Sequence, residues 1–162
     1  MRSLFAVAGL VAVTMMFAGG LAAQDVQLPL NAIQVKHFTL AEGVGKTQEF
    51  ADYFYDGLLR YMPKTKVAAQ VVPEEGAVAE ADAANALVVE GQLLFVGHKG
   101  MAGIVRSEIN LFRLSDHKLV KTFTAEVPYK RSPLNKDKNV GENTGERTAI
   151  AIQKELKKLK AS

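Results

Sequence analysis

The chain has 162 residues, no Cys and no Trp, and its 20 Lys+Arg against 17 Asp+Glu give a formal net charge of +3. At 48% hydrophobic and 23% charged it has the make-up of a globular domain rather than a disordered tail, and its length suits one domain. The absence of cysteine excludes disulfides, thiolate zinc sites, iron–sulfur clusters, a cysteine nucleophile and an anchor on a diacylglyceryl-modified cysteine.

Residues 1–23 follow the three-part pattern of a secretory signal peptide. Arg2 is the basic end, Leu4 to Leu21 is the apolar stretch, and Gly19, Gly20, Ala22 and Ala23 are the small-residue exit. Cleavage is expected after Ala22 or Ala23. The alternative is a retained anchor, because Leu4–Ala23 is 20 residues long and just spans a bilayer. Removal of the segment leaves a 24–162 domain of net charge +2. Acidic and basic residues are interspersed along it, so no nucleic-acid footprint emerges.

In the mature chain Asn31–Leu40 reads as a strand, with Ile33, Val35 and His37 alternating with Gln34, Lys36 and Phe38. A Gly43–Gly45 turn leads into an amphipathic helix over Lys46–Met62, striped by Phe50, Phe54, Leu58 and Met62 and stopped by Pro63. Thr65–Val72 is a short strand, and Glu74–Asn85 a turn with a short helix. Ala86–Val96 is nearly all apolar and suits a central strand. Ile104–Leu114 and Leu119–Tyr129 come next, joined by the Ser115–Lys118 hairpin loop. Lys130–Asn143 reads as a polar loop. Asn143 would cap a last helix with Glu146 in a capping box, and Ala149, Ile152, Leu156 and Leu159 form its apolar stripe. The fold class is therefore α+β in the order β-α-β-(α)-β-β-β-α. It implies a mostly antiparallel sheet of four or five strands with two helices packed on one face.

Few residues carry chemistry. Gly43-Val44-Gly45-Lys46-Thr47 sits where a phosphate-binding loop would, but the glycine that pattern needs earlier is Leu40. His37, His98 and His117 are the only histidines and share no ligand spacing. Ser107, Ser115 and Ser132 lie in no nucleophile elbow. Glu90 on the central strand is expected to be solvated or paired with Arg106 or Lys121. Tyr55, opposite Phe54 on its helix, is expected to be exposed. Lys154, Lys157, Lys158 and Lys160 crowd a helix C-terminus, where the macrodipole favours cations. Weak contact with anionic head groups is an alternative use of that end. The candidate interaction surface is thus Tyr55, Glu90, Arg106, Lys154 and Lys158, with no catalytic, cofactor or metal residue.

Val88-Val89-Glu90-Gly91-Gln92-Leu93, the short Ser115-Asp116-His117-Lys118-Leu119 turn and the Gly97–Gly103 segment carry a resemblance. With the order of elements from Ile33 to Leu159, they resemble the DUF4410 family of bacterial envelope proteins. They also resemble the α/β domains of curli-secretion-type lipoproteins and of the N-terminal part of the Tol-Pal translocation protein. Many such proteins are lipoproteins, and this chain has no lipobox cysteine. The resemblance implies a non-enzymatic envelope domain and supplies no catalytic residues. The expected function is an exported, soluble, periplasmic or extracellular binding or assembly module. Its partner would be an envelope protein or a cell-wall component, met through a sheet edge or the exposed face, with edge pairing as one physical route. The alternatives are a peripheral membrane protein held by an uncleaved N-terminal helix, and a small hydrolase with an unrecognised Glu/His site.

Overall fold

The computed structural model describes residues 26–130 and 136–160. The expected signal peptide, its cleavage and Ser132 lie outside the described residues. Among the described residues six strands and three α-helices follow one another. They are β1 (Leu30–Val35), β2 (Thr39–Leu40), α1 (Gln48–Tyr61), β3 (Ala68–Pro73), α2 (Glu80–Ala83), β4 (Ala86–Lys99), β5 (Ala102–Arg113), β6 (Leu119–Tyr129) and α3 (Asp137–Lys160). A 3-10 turn over Met62–Thr65 closes α1.

The strands form one sheet in the order β3-β1-β4-β5-β6, with β2 beside β4 beyond the end of β1. The β4-β5-β6 half is the expected antiparallel meander. The other half is parallel: β1 pairs with β3 and β4 in that sense, and β2 with β4. This corrects the mostly antiparallel sheet of four or five strands. The cause is connection length. The 14-residue α1 returns the chain to the starting end of the sheet, so β3 enters in the direction of β1. The 74–85 segment does the same before β4, passing over the other face. There Gln34 Nε2 donates to the carbonyls of Glu74 (3.2 Å) and Gly76 (3.0 Å).

The core lies between the sheet and the α1–α3 pair. Ile33, Val35, Leu87, Val89, Ile109, Leu111 and Ala125 meet Phe50, Phe54, Leu58, Ala149, Ile152 and Leu156 there. The α1 stripe is therefore buried as its spacing implies.

Two local expectations are corrected. The Asn31–Leu40 strand breaks after Val35. Val35 pairs with Val89 and Thr39 with Gln92, so residues 36–38 face only residues 90–91 of β4. This one-residue surplus reverses the facing of the residues after it, as a bulge does. Phe38, read as outward, is wholly buried. Its ring sits 5.0 Å from that of Phe54, over Gly91, which has no Cβ to obstruct it. The last helix begins at Asp137, so Asn143 lies inside it and is no cap. Gly141, read as a loop residue, and Gly145 are buried against α1, as is Gly57 from the α1 side. A Cβ on Gly57 or Gly145 would overlap the carbonyl of Glu142 or Phe54, respectively. The helices thus approach backbone to backbone. Arg60 clamps the seam from outside, donating to Glu142 (3.1 Å) and Glu146 (2.7 Å).

Candidate functional site

The five residues singled out by sequence do not converge. Tyr55 is only 4% exposed, which corrects its expected exposure. Its ring stacks on His37 at 3.7 Å, and its hydroxyl oxygen accepts from the Glu74 N–H at 3.1 Å. The connection after β3 covers this flank of α1, so the buried face is wider than the Phe50–Phe54–Leu58 stripe. Lys154 and Lys158 are exposed near the C-terminal end of α3, and Lys158 meets Glu155 at 2.5 Å.

Glu90 and Arg106 do share a surface, the sheet face away from α1 and α3. Neither partner expected for Glu90 reaches it. Arg106 lies opposite Phe95, further along β5, and binds Glu126 through Nε (3.1 Å) and Nη2 (2.7 Å). Lys121 faces the helices and meets Glu155 at 2.7 Å. Glu90 instead meets Lys36, with Nζ and Oε1 at 2.8 Å. His117 Nε2 stands 3.8 Å from the same oxygen, its ring stacked on Phe112 at 4.6 Å. Beside them Thr122 donates to Asn110 Oδ1 at 2.6 Å. A carboxylate already neutralised by a lysine is a poor general base, and His117 beyond 3.5 Å makes no hydrogen bond to it. This face offers paired polar groups and two aromatic rings, which suits recognition rather than proton transfer.

The other motifs are absorbed structurally. Lys46 of the glycine turn binds Asp137 at 2.7 Å, so it ties α1 to α3. Ser107 is 1% exposed, and its hydroxyl finds no hydrogen-bond partner among the described residues. It is a core serine without a base. No group of three His, Asp or Glu that could hold a metal occurs among the described residues.

Two arrangements escaped sequence reasoning. One is the latch at the ends of β1 and β3, where Glu74 Oε2 accepts from His37 N at 3.0 Å and pairs with its Nδ1 at 2.9 Å. The bond from the His37 backbone N–H, then that from its ring, hold the Glu74 carboxyl below the usual carboxylate range. A carboxyl depressed in the folded chain stabilises above its unfolded pKa. That contribution is lost as pH falls through the folded value. Glu74→Gln is therefore expected to flatten the acid-side fall of Tm. At neutral pH it should cost only about a few degrees, because the side chain is 41% exposed and screened by water. Thermal melts of both proteins across a pH series check this.

The other arrangement is an open cleft of about 280 Å³ between the end of β6 and the start of α3. Tyr129, Lys130, Asn139, Val140, Asn143 and Arg147 line it. Arg147 donates to the Pro128 carbonyl at 3.1 Å, and the Tyr129 hydroxyl donates to the Gly97 carbonyl at 3.2 Å. The spacing Asn139–Asn143–Arg147 on one helix face was a readable signal, hidden by taking Lys130–Asn143 as a loop.

No family model and no curated protein matches the chain. Its fold is shared with solved structures. A PelC dodecamer from Paraburkholderia phytofirmans superposes at TM-score 0.54 and 13% identity, over 79% of this chain and 90% of that one. A DUF330 protein from Xanthomonas campestris gives 0.53 and 13%, over 78% and 84%. A hypothetical protein from Chlamydia trachomatis gives 0.52 and 8%, over 78% and 98%. At these identities the likeness is one of fold alone. Among the described residues no helix is long and apolar enough to cross a membrane.

Proposed function

We propose that the chain is an exported, non-enzymatic binding or assembly module of the bacterial cell envelope, active as a 24–162 domain after loss of residues 1–23. The observation that carries this reading is the open flank of the sheet. Among the described residues the 11-residue β6 has β5 as its one strand neighbour. Its outer edge is able to receive an extended segment by backbone pairing, while the Glu90–Arg106 face beside it selects the partner's side chains. The paired state of Glu90, Arg106 and Glu126 favours recognition over turnover. The DUF4410 resemblance and the fold shared with PelC and DUF330 proteins support an envelope role. The PelC neighbour is a dodecamer, so further copies of this chain belong among the partner classes, beside an envelope protein or a cell-wall component.

The test is fractionation combined with site-specific photo-crosslinking in cells. The reading expects a chain that begins at Ala23 or Gln24 and is recovered outside the cytoplasm. It also expects a discrete adduct from a crosslinker at Thr124 on β6 and none from one at Lys64 on the opposite side. A cytosolic chain that retains Met1, or a Thr124 probe no more productive than the Lys64 probe, overturns it.

A further inference from the structure

The most exposed large apolar side chain among the described residues is Met101, at 96%. It stands at the tip of the β4–β5 hairpin between Gly100 and Ala102. Soluble surfaces tolerate single apolar residues, so exposure alone decides nothing. Its surroundings do. Met101, Ala102, Pro128, Tyr129, Lys130 and Arg147 line one wide cleft, which shares Tyr129, Lys130 and Arg147 with that at the start of α3. Lys99 pairs with Ala102 across the hairpin. Three cations thus surround one apolar tip.

The tip is also held in place. Tyr129 pairs with Gly103, and its ring occupies the space where a Cβ on Gly103 would be. Its hydroxyl reaches the Gly97 carbonyl on the next strand at 3.2 Å. His98 packs against the same ring at 6.0 Å. Of the acids near this end, Glu126 is bound by Arg106 and also lies within electrostatic reach of Lys99, Asp137 is bound by Lys46 and Glu142 by Arg60. The end presents a braced apolar point with Lys99, Lys130 and Arg147 near it.

We propose that the β4–β5 tip and the Tyr129–Arg147 cleft form a docking end for an anionic lipid bilayer, with Met101 entering the interface and Lys99, Lys130 and Arg147 meeting the head-group phosphates. Charge complementarity selects an anionic surface. A single projecting thioether suits a deformable interface, which needs no matching pocket. Asn139 and Asn143 add amide donors near the positive end of the α3 dipole. This goes beyond the binding-module reading and rests on its envelope location. It also places membrane contact at the opposite end of α3 from Lys154 and Lys158.

The experiment is vesicle co-sedimentation of the full chain on phosphatidylcholine vesicles with and without about 30 mol % phosphatidylglycerol, read as the ratio of the two affinities. The ratio sets aside any apolar contribution of the N-terminal segment, which both vesicles share. The native chain is expected to prefer the anionic vesicles and to lose that preference in high salt. Each cation contributes about five-fold, so Lys99→Gln with Lys130→Gln lowers the ratio by about twenty-five-fold. Met101→Ser lowers binding to anionic vesicles by about five-fold. Lys154→Gln with Lys158→Gln leaves both readings unchanged. Far-UV spectra and Tm confirm folding, and all five substituted side chains are at the surface. Loss of the preference with the Lys154/Lys158 pair instead, or no preference in the native chain, overturns the proposal. So does an effect of the Lys99/Lys130 pair without one of Met101, which would leave a cleft for soluble anions. A chain that is exported yet shows no vesicle preference separates failure here from failure of the envelope reading.

Discussion

Gly145→Ala is expected to lower Tm by about 10 °C, although alanine is the better helix former by about 1 kcal/mol. Two effects compete at this position. In an exposed helix the substitution stabilises by restricting the unfolded chain. In α3 the new Cβ would overlap the Phe54 carbonyl oxygen and come within 2.8 Å of the Leu58 nitrogen. Both atoms belong to the α1 backbone and have no rotamer by which to move aside. The helices must separate, and the contacts of Ala149 and Ile152 with the core loosen together. Overpacking of this kind costs about 1–3 kcal/mol and more when the obstacle is rigid, so the clash outweighs the propensity gain. Gly57→Ala should behave similarly, since its Cβ would overlap the Glu142 carbonyl. Gly141→Ala should cost less, because its nearest neighbour is the Tyr53 Cβ at 2.7 Å. Calorimetry of the three variants gives the order, and a Gly145→Ala protein as stable as the parent refutes backbone contact between the helices. The displacement also reaches the surface, since α3 carries Arg147 and its bond to Pro128.

The same glycines show where sequence reading reaches and where it stops. β6 was legible to the residue, Leu119–Tyr129, because alternation and a hairpin loop are local signals. The buried face of α1 was legible because Phe50, Phe54, Leu58 and Met62 repeat at the helical period and all end in the core. The first turns of α3 were not. There Gly141 and Gly145 stand against the α1 backbone, and glycine reads as a breaker in a single sequence. Only the neighbouring backbone reveals it as a point of close approach. Parallel pairing was hidden for a different reason, since strand direction depends on where each connection returns the chain. Tyr55 failed because its cover, Glu74 and His37, comes from segments that no helical wheel includes. The candidate surfaces were half legible. Glu90 and Arg106 share a face as strand parity implies, yet their ion partners depend on register. The Met101 cleft joins a hairpin tip, a strand end and Arg147 of the last helix, three segments far apart in the chain.

Register also governs the second large effect, a coupling between Phe38 and Gly91. Phe38 enters the core because residues 36–38 carry one residue more than β4 needs, and its ring fits because Gly91 leaves the space. A Cβ on Gly91 would lie 2.6 Å from the Phe38 Cζ and 2.5 Å from the Glu108 carbonyl oxygen. Phe38→Ala alone should cost about 3–5 kcal/mol, as for other fully buried phenylalanines. Gly91→Ala alone should cost about 2 kcal/mol, by pushing the ring from its site. In the double variant the new methyl occupies part of the space the ring vacated. The two costs then fail to add, with a coupling of about 1–2 kcal/mol in favour of the pair. The part of the Gly91 penalty that remains reports the contact with Glu108, which the ring does not relieve. Urea unfolding of the four proteins measures the cycle. Strict additivity would mean that Phe38 does not lie over Gly91. The inserted residue between β1 and β2 would then have to be absorbed elsewhere, and with it the placement of Lys36 against Glu90 on the opposite face.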